Sequence, residues 1–251
     1  MKKSVYFKSR GIKVSAVLSK PKNMMLNDFA IVFCHGLSSN KDGSTIRGLS
    51  RMLNRKGICT FAFDFSGHGK SMGKFSEITH DTALQNLADA IAWLRKNGFK
   101  RFGIYGSSFG GAVAVDFESG ENASNFLVLK CPLSEYGKHM LKSFKTSKAA
   151  WERKKSIKTG FGTIDFAFFK NGAKHNLYLR ANKIRVPALI VHGDKDATVP
   201  ISHAKKLFSS LDGEKMMVTI TGADHEFSGK KRKKDMMMAI YNFIIHSLPK
   251  H

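Results

Sequence analysis

The chain has 251 residues, 42% of them hydrophobic, with 42 lysines and arginines against 19 aspartates and glutamates. This length and composition fit one soluble α/β domain with a filled core, and no apolar run approaches the roughly 20 residues that span a bilayer. The net charge of +23 would suit a nucleic acid or an anionic membrane as a partner, but no zinc finger, aromatic RNA-binding strand or repeat accompanies it. A general basic bias, or solvated helix faces, would give the same charge.

The N-terminus and the cysteines indicate an unsecreted protein. Residues 1–8 carry charge but no apolar segment follows them, so we predict no secretory signal. Cys34, Cys59 and Cys131 lie in or beside apolar runs and lack metal-binding spacing. We therefore expect buried, reduced thiols in a cytoplasmic protein.

Strand and helix patterns alternate along the chain. An antiparallel pair is predicted at residues 4–8 and 13–19, around Arg10 and Gly11. Continuous apolar runs, typical of strands buried on both faces, follow at 29–34, 58–64, 102–107, 126–131, 188–192 and 215–220. Two apolar stripes with helical spacing are Leu84, Leu87, Ile91 and Leu94, and then Met237, Ile240, Tyr241, Ile244, Ile245 and Leu248. This alternation predicts an α/β fold whose mostly parallel sheet has helices on both faces.

One segment, residues 134–185, interrupts the alternation. It is basic and aromatic, and it follows the carboxyl end of a strand, where insertions that cover ligands lie in open α/β sheets. We predict a single domain over residues 1–251 with this segment as a lid. Its aromatic residues are expected to line the substrate pocket: Trp151, Phe161, Phe166, Phe168 and Phe169. The alternative is a pair of ordinary surface helices.

The motif Gly106-Ser107-Ser108-Phe109-Gly110 lies between a predicted strand and a predicted apolar helix. A serine on such a sharp turn is held out of the sheet, and the helix that follows directs its N–H groups and positive dipole end to the same place. This setting predicts that Ser108 is a nucleophile whose product is an oxyanion. The alternative is a turn serine that bonds its own backbone.

A serine nucleophile needs a base and an acid that orients the base. Asp196 follows an apolar strand in the run from His192 to Pro200, and His225 follows the last predicted strand. Asp194 is the competing acid, with a turn or capping role as its alternative. The other histidines considered fit the base less well: His139, His175, His192, His203, His246 and His251.

Two backbone N–H groups are predicted to bind the oxyanion. One belongs to Phe109, directly after the nucleophile, and the other to Leu37, in the loop after the third strand. His35 beside it is expected to be a structural hydrogen-bonding residue. The run from Asp64 to Ser71 is expected to shape a tight turn near the active face.

Together these segments resemble the α/β-hydrolase superfamily. The matching pieces are Cys34-His35-Gly36, Asp64–Ser71, Gly106–Gly110, His192–Pro200 and Asp224-His225. The nearest resemblance is to compact feruloyl or cinnamoyl esterases, serine-aminopeptidase-like esterases and monoacylglycerol lipases. It implies an eight-stranded sheet, a Ser108–Asp196–His225 triad and a cap inserted after the sixth strand.

These features predict a serine carboxylesterase that cleaves short-to-medium or aromatic acyl esters through an acyl-enzyme. This chemistry requires no metal or cofactor, and its partner is a small-molecule ester. Peptidase, thioesterase, acyltransferase and monoacylglycerol lipase activities remain alternatives on the same triad, because a fold does not select among them. Two alternatives do not involve catalysis. One is a binding protein that keeps the fold without turnover, and the other is a protein that binds nucleic acid or a membrane surface.

Overall fold

Eight strands form one open sheet, as predicted, in a computed structural model that describes residues 1–249. The strands are β1 (Lys2–Ser9), β2 (Ile12–Ser19), β3 (Phe29–Cys34), β4 (Cys59–Phe63), β5 (Arg101–Ser107), β6 (Phe126–Lys130), β9 (Ala188–Gly193) and β10 (Lys215–Ile220). Their spatial order is β1-β2-β4-β3-β5-β6-β9-β10. β1 and β2 run antiparallel, and the six strands from β4 to β10 run parallel. The predicted bounds differ from these by at most two residues at either end.

Helices cover both faces of the sheet, because side chains along a strand point alternately to its two sides. Within β3, Ala30 and Val32 lie in one buried core, whereas Ile31 and Phe33 lie in the other. The first core is covered by α2 (His80–Lys96), α3 (Phe109–Glu121) and α8 (Ile201–Ser210), and the second by α1 (Ser44–Arg55) and α9 (Lys230–His246). The predicted apolar stripes of α2 and α9 face these cores.

The segment of residues 134–185 enters between β6 and β9, which are neighbours in the sheet. It contains α4 (Gly137–Ser143), α5 (Lys148–Lys154), α6 (Phe166–Gly172) and α7 (Leu177–Ala181). Between α5 and α6 lies an antiparallel hairpin of β7 (Ser156–Thr159) and β8 (Gly162–Asp165), which the sequence pattern did not predict.

A buried ion pair joins two loops at the carboxyl edge of the sheet. The Asp64 carboxylate accepts hydrogen bonds from the ammonium of Lys41 and from the backbone N–H groups of Lys41 (2.7 Å) and Lys70 (2.8 Å). Gly69 has φ +53°, and a Cβ there would lie 2.3 Å from the Asp64 carboxylate. The turn after β4 is thus fixed to the loop after β3, in keeping with the scaffold role expected from the sequence.

The three cysteines are free and buried, as expected. In residues 1–249, no helix combines the length and the apolar character needed to cross a bilayer.

Candidate active site

Ser108 lies on the turn between β5 and α3 with φ 51° and ψ −114°. The turn requires glycine on both sides, because a Cβ on Gly106 would lie 2.5 Å from the Gly110 carbonyl and one on Gly110 would lie 2.4 Å from the Cys34 carbonyl. The Ser108 side chain makes no capping hydrogen bond to the helix. Its left-handed backbone, which a non-glycine residue adopts at a cost, presents the hydroxyl at the carboxyl edge of the sheet.

His225 and Asp196 are hydrogen-bonded across the loops that follow β10 and β9. The distance from His225 Nδ1 to Asp196 Oδ2 is 2.6 Å, and Oδ1 accepts the N–H groups of Thr198 (2.9 Å) and Val199 (2.8 Å). Burial alone would raise the pKa of Asp196, but hydrogen bonds from His192 and His225 hold it well below its ordinary range. The carboxylate is therefore ionised and fixes Nδ1 of His225 as a donor.

The competing residues have structural partners instead. Asp194 is exposed and accepts the Gly222 N–H at 2.6 Å, which braces the loops after β9 and β10 against each other. His192 is fully buried, with Nε2 2.8 Å from the Val199 carbonyl and 3.2 Å from Asp196. The described residues thus bring Asp196, rather than Asp194, to His225; His251 lies outside them.

The N–H of Leu37 is oriented by a hydrogen bond on the other side of its peptide. The Gly36 carbonyl accepts from His35 Nδ1 (2.7 Å) and from the Ser39 N–H (3.0 Å). Because a trans peptide holds its N–H opposite its carbonyl, the Leu37 N–H points away from His35. Neither it nor the Phe109 N–H has an acceptor among residues 1–249. Both residues line the cavity over Ser108, so the two donors are available to an oxyanion.

His35 has one tautomer that satisfies its neighbours. The Phe65 N–H donates to His35 Nε2 at 3.0 Å, so the ring proton is on Nδ1, where it reaches the Gly36 carbonyl. Burial lowers the pKa of His35 to about 3. His35 is thus a neutral structural donor, as the sequence suggested.

A cavity of about 370 Å³ opens over Ser108 and His225. Its apolar wall includes Leu133, Met140, Phe144, Phe161 and Val199. The wall residues His139, Met140, Ser143 and Phe144 come from one face of α4 and its C-terminal end. The sequence reasoning missed them, although their spacing of one, three and one residues is that of a helix face.

The predicted aromatic pocket is corrected by the structure. Phe161, at the tip of the β7–β8 hairpin, lines the cavity, but four of the five aromatic residues do not: Trp151, Phe166, Phe168 and Phe169. These four are buried in the larger core. The Trp151 ring lies 5.7 Å from that of Phe169, and the Phe168 ring 5.6 Å from that of Phe109 on α3. A segment that small needs its large side chains to pack on the domain, so few remain for the cavity.

A second polar cluster anchors this segment. Asp116 on α3 accepts hydrogen bonds from His80 Nε2 (3.0 Å), His175 Nδ1 (2.5 Å) and Arg180 Nε (3.0 Å). The Tyr136 hydroxyl donates to His80 Nδ1 at 2.6 Å. The nitrogen and oxygen atoms of His80, Asp116 and His175 lie within 4.8 Å of one another, close enough for a metal, but these hydrogen bonds already occupy them. The cluster ties residues 134–185 to α2 and α3.

Comparisons with known proteins identify the family of this chain. The model of the prolyl oligopeptidase family matches residues 47–251. The chain belongs to the prolyl oligopeptidase family. Within the α/β-hydrolase superfamily, it is similar to human alpha/beta hydrolase domain-containing protein 17B, with 28% identity over 209 residues; the match covers 78% of this chain and 60% of that protein. The chain thus spans less than two thirds of that relative's length.

Solved structures show the same fold. Est1E of Butyrivibrio proteoclasticus, solved with ferulic acid bound, superposes with a TM-score of 0.90 at 22% identity, over 98% of this chain and all of that one. Mouse alpha/beta hydrolase domain-containing protein 10 superposes with a TM-score of 0.79 at 18% identity, over 97% and 99% of the two chains. This member of the prolyl oligopeptidase family is a hydrolase with an α/β-hydrolase fold.

Proposed function

We propose that the protein is a serine carboxylesterase that acts through an acyl-enzyme. The observation that carries the proposal is the 2.6 Å hydrogen bond between Asp196 and His225 in a cavity that His225 shares with Ser108. A hydroxyl, an imidazole fixed by a carboxylate, and two N–H donors are the groups that ester cleavage needs.

The reaction proceeds in two halves. In the first, Ser108 Oγ attacks the ester carbonyl while His225 Nε2 takes its proton, and the N–H groups of Leu37 and Phe109 bind the oxyanion. The tetrahedral intermediate collapses, the C–O bond to the alcohol breaks, and His225 returns the proton to the leaving oxygen. In the second, His225 activates water, which attacks the acyl-enzyme and releases the acid and Ser108.

The cavity supports short-to-medium or aromatic acyl groups as substrates. A volume of about 370 Å³ is near the lower end of small-molecule sites, which favours a short-to-medium or aromatic acyl group over a long chain. Residues 134–185 supply one wall through α4 and Phe161, so we propose that this segment acts as the lid that sets acyl size. The ferulic acid bound to Est1E makes cinnamate-type esters a useful member of the test panel.

The test is hydrolysis of 4-nitrophenyl acetate, butyrate, octanoate, palmitate and cinnamate, with labelling of Ser108 by a fluorophosphonate. We expect kcat/KM to be greatest for butyrate, octanoate or cinnamate, and both turnover and labelling to be lost in Ser108→Ala. Turnover above roughly a tenth of wild type in Ser108→Ala would contradict the nucleophile assignment. Palmitate as the best substrate would replace the esterase with a lipase.

Peptide-bond cleavage is the second candidate, because the matched family is named for an oligopeptidase. The same triad can transfer an acyl group from an amide, and thioester cleavage or acyl transfer would use it as well. A panel of peptide 4-nitroanilides beside the esters decides between them. A kcat/KM on any peptide that exceeds that on every ester would favour the peptidase.

A further inference from the structure

Lys130 is the last residue of β6 and lies beside the nucleophile. Its backbone carbonyl accepts the Ser108 N–H at 2.9 Å, and the residue is among those that line the catalytic cavity. The residue is 3% exposed. Its Nζ donates to the His225 carbonyl at 2.8 Å and lies 5.2 Å from the centre of the Phe227 ring.

No carboxylate among residues 1–249 pairs with the charge of Lys130. Lys41, the other buried lysine of residues 1–249, is paired with the Asp64 carboxylate. Lys130 has no carboxylate partner in the same part of the chain, and the His225 carbonyl satisfies one of the three N–H groups of its ammonium. Burial of an ammonium without a counter-charge is costly, so a carboxylate that approaches its remaining N–H groups would be bound favourably.

The cavity itself supplies little to offset this charge. Lys130 and Glu226 are its lining residues with a full charge, and Glu226 is exposed. His35 and His139 also line it, and burial lowers the pKa of both, so they remain uncharged at neutral pH. An anionic oxygen of the substrate is therefore the group that fits beside Lys130.

We infer that Lys130 binds a carboxylate of the substrate, so that the preferred ester carries a free carboxylate on its acyl or its alcohol part. This inference rests on the proposed function and narrows its substrate class. The cation that binds the carboxylate is then Lys130, at the end of β6. None of the lysines of residues 134–185 lines the cavity. Because Lys130 is buried, salt should weaken the preference little.

Binding to the Ser108→Ala protein tests the inference without turnover. Monomethyl glutarate and 3-carboxyphenyl butanoate each carry an ester and a carboxylate, and dimethyl glutarate and phenyl butanoate are their neutral counterparts. By calorimetry at 0.15 M salt, we expect one of the carboxylates to bind about 10- to 100-fold tighter than its counterpart. Equal affinities within both pairs would overturn the inference, whatever the catalytic activity proves to be.

The variant Lys130→Met, added to Ser108→Ala, should abolish that difference. Lys215→Met is the matched control, because Lys215 Nζ also donates to a backbone carbonyl (Leu211, 2.6 Å) and lies 5.2 Å from a phenylalanine ring (Phe208), outside the cavity. It should keep the difference. A preference that survives Lys130→Met would reject the assignment.

Kinetics on the protein that retains Ser108 distinguish a role of Lys130 in substrate binding from a role in positioning His225. Lys130→Met should lower kcat/KM about 10- to 100-fold for a charged ester, either 4-nitrophenyl hemiglutarate or 3-carboxyphenyl butanoate. The loss of kcat/KM on the uncharged counterpart, 4-nitrophenyl pentanoate or phenyl butanoate, should be several-fold smaller. Equal losses on charged and uncharged esters would show that Lys130 only holds the His225 loop, and would overturn the inference.

Discussion

Asp194 and Asp196 are two residues apart on one loop, but their surroundings assign them different tasks. Asp196 Oδ2 faces His225, whereas Asp194 bonds a backbone N–H at the surface. An amide at position 196 would present an N–H₂ group to His225 Nδ1 and favour the wrong tautomer. We expect Asp196→Asn to lower kcat by on the order of 10⁴, which is the effect of the same change in the Ser-His-Asp triad of a serine protease. Asp194→Asn should lower kcat far less. Steady-state kinetics on the two folded variants compare them; a larger loss in Asp194→Asn would refute the acid assignment.

His35 makes a second prediction at the residue scale, because its two ring nitrogens serve different peptides. Glutamine can place its amide near Nε2 and asparagine near Nδ1. His35→Gln should therefore lose the bond that orients the Leu37 N–H, while His35→Asn can keep it. We expect kcat to fall about tenfold or more in His35→Gln, with KM little changed, and less in His35→Asn.

The control for this comparison is the free energy of unfolding of both variants. Each loses one hydrogen bond of a buried ring, so both should be destabilised by about 1–3 kcal/mol. Equal losses of kcat in the two variants would show that His35 acts through general packing rather than through the Gly36 carbonyl.

The inserted segment has two groups of aromatic residues with different roles. Phe161 is 44% exposed at the hairpin tip and lines the cavity, whereas Phe168 is fully buried against α3. Phe161→Ala should shift the acyl preference towards larger esters with little loss of stability. Phe168→Ala should cost about 3–5 kcal/mol, because it leaves a cavity in the core. Ester panels and urea unfolding measure the two effects, and an unchanged acyl preference in Phe161→Ala would remove this hairpin from the site.

Helix α9 begins with five consecutive basic residues, 230–234, at the end where a helix dipole favours negative charge. Lys230→Glu should therefore stabilise the protein by about 0.5 kcal/mol at low salt and by less at high salt. Lys205→Glu, within α8, is the matched control without a helix end. Urea unfolding at two salt concentrations compares them, and a less stable Lys230→Glu protein would assign these lysines a structural role.

At the scale of the molecule, buried histidines make stability depend on pH. Burial lowers the pKa of His35 to about 3 and of His203 to about 4, and it also lowers the pKa values of three others: His68, His80 and His139. The unfolded chain binds protons at these rings as the pH falls through their ordinary value of 6.5, whereas the folded chain binds them only at lower pH. The contribution of these histidines to the free energy of unfolding is thus fully present above about pH 6.5 and is lost progressively below it.

The midpoint of thermal unfolding should accordingly fall from pH 7 to pH 5, before most carboxylates are protonated. Glu118 works in the opposite direction: burial raises its pKa to about 7, so its contribution grows as the pH falls from 7 towards 4.5. In Glu118→Gln the decrease between pH 7 and pH 5 should be steeper, because this opposing contribution is absent. A midpoint that rises on acidification in both proteins would contradict the histidine account.

The sequence by itself determined the sheet and named the candidate site residues along the chain. Strands buried on both faces need continuous apolar runs, and a serine elbow needs glycines on both sides, so both leave local patterns. Asp196 and His225 could be named because each follows a strand at the same edge of the sheet. Those patterns depend on neighbours in sequence, which the chain itself displays.

Only the tertiary structure decided what each buried side chain faces. The sequence shows that Phe161 and Phe168 are aromatic residues of the same segment. It does not show that Phe168 packs on α3 whereas Phe161 lines the cavity. The sequence pattern places Lys130 at the end of a strand. Only the structure shows that Asp64 pairs with Lys41 and that, within residues 1–249, no carboxylate pairs with Lys130. Periodicity reports whether a side chain is buried; its partner is set by contacts between residues far apart in the chain, which no local pattern records.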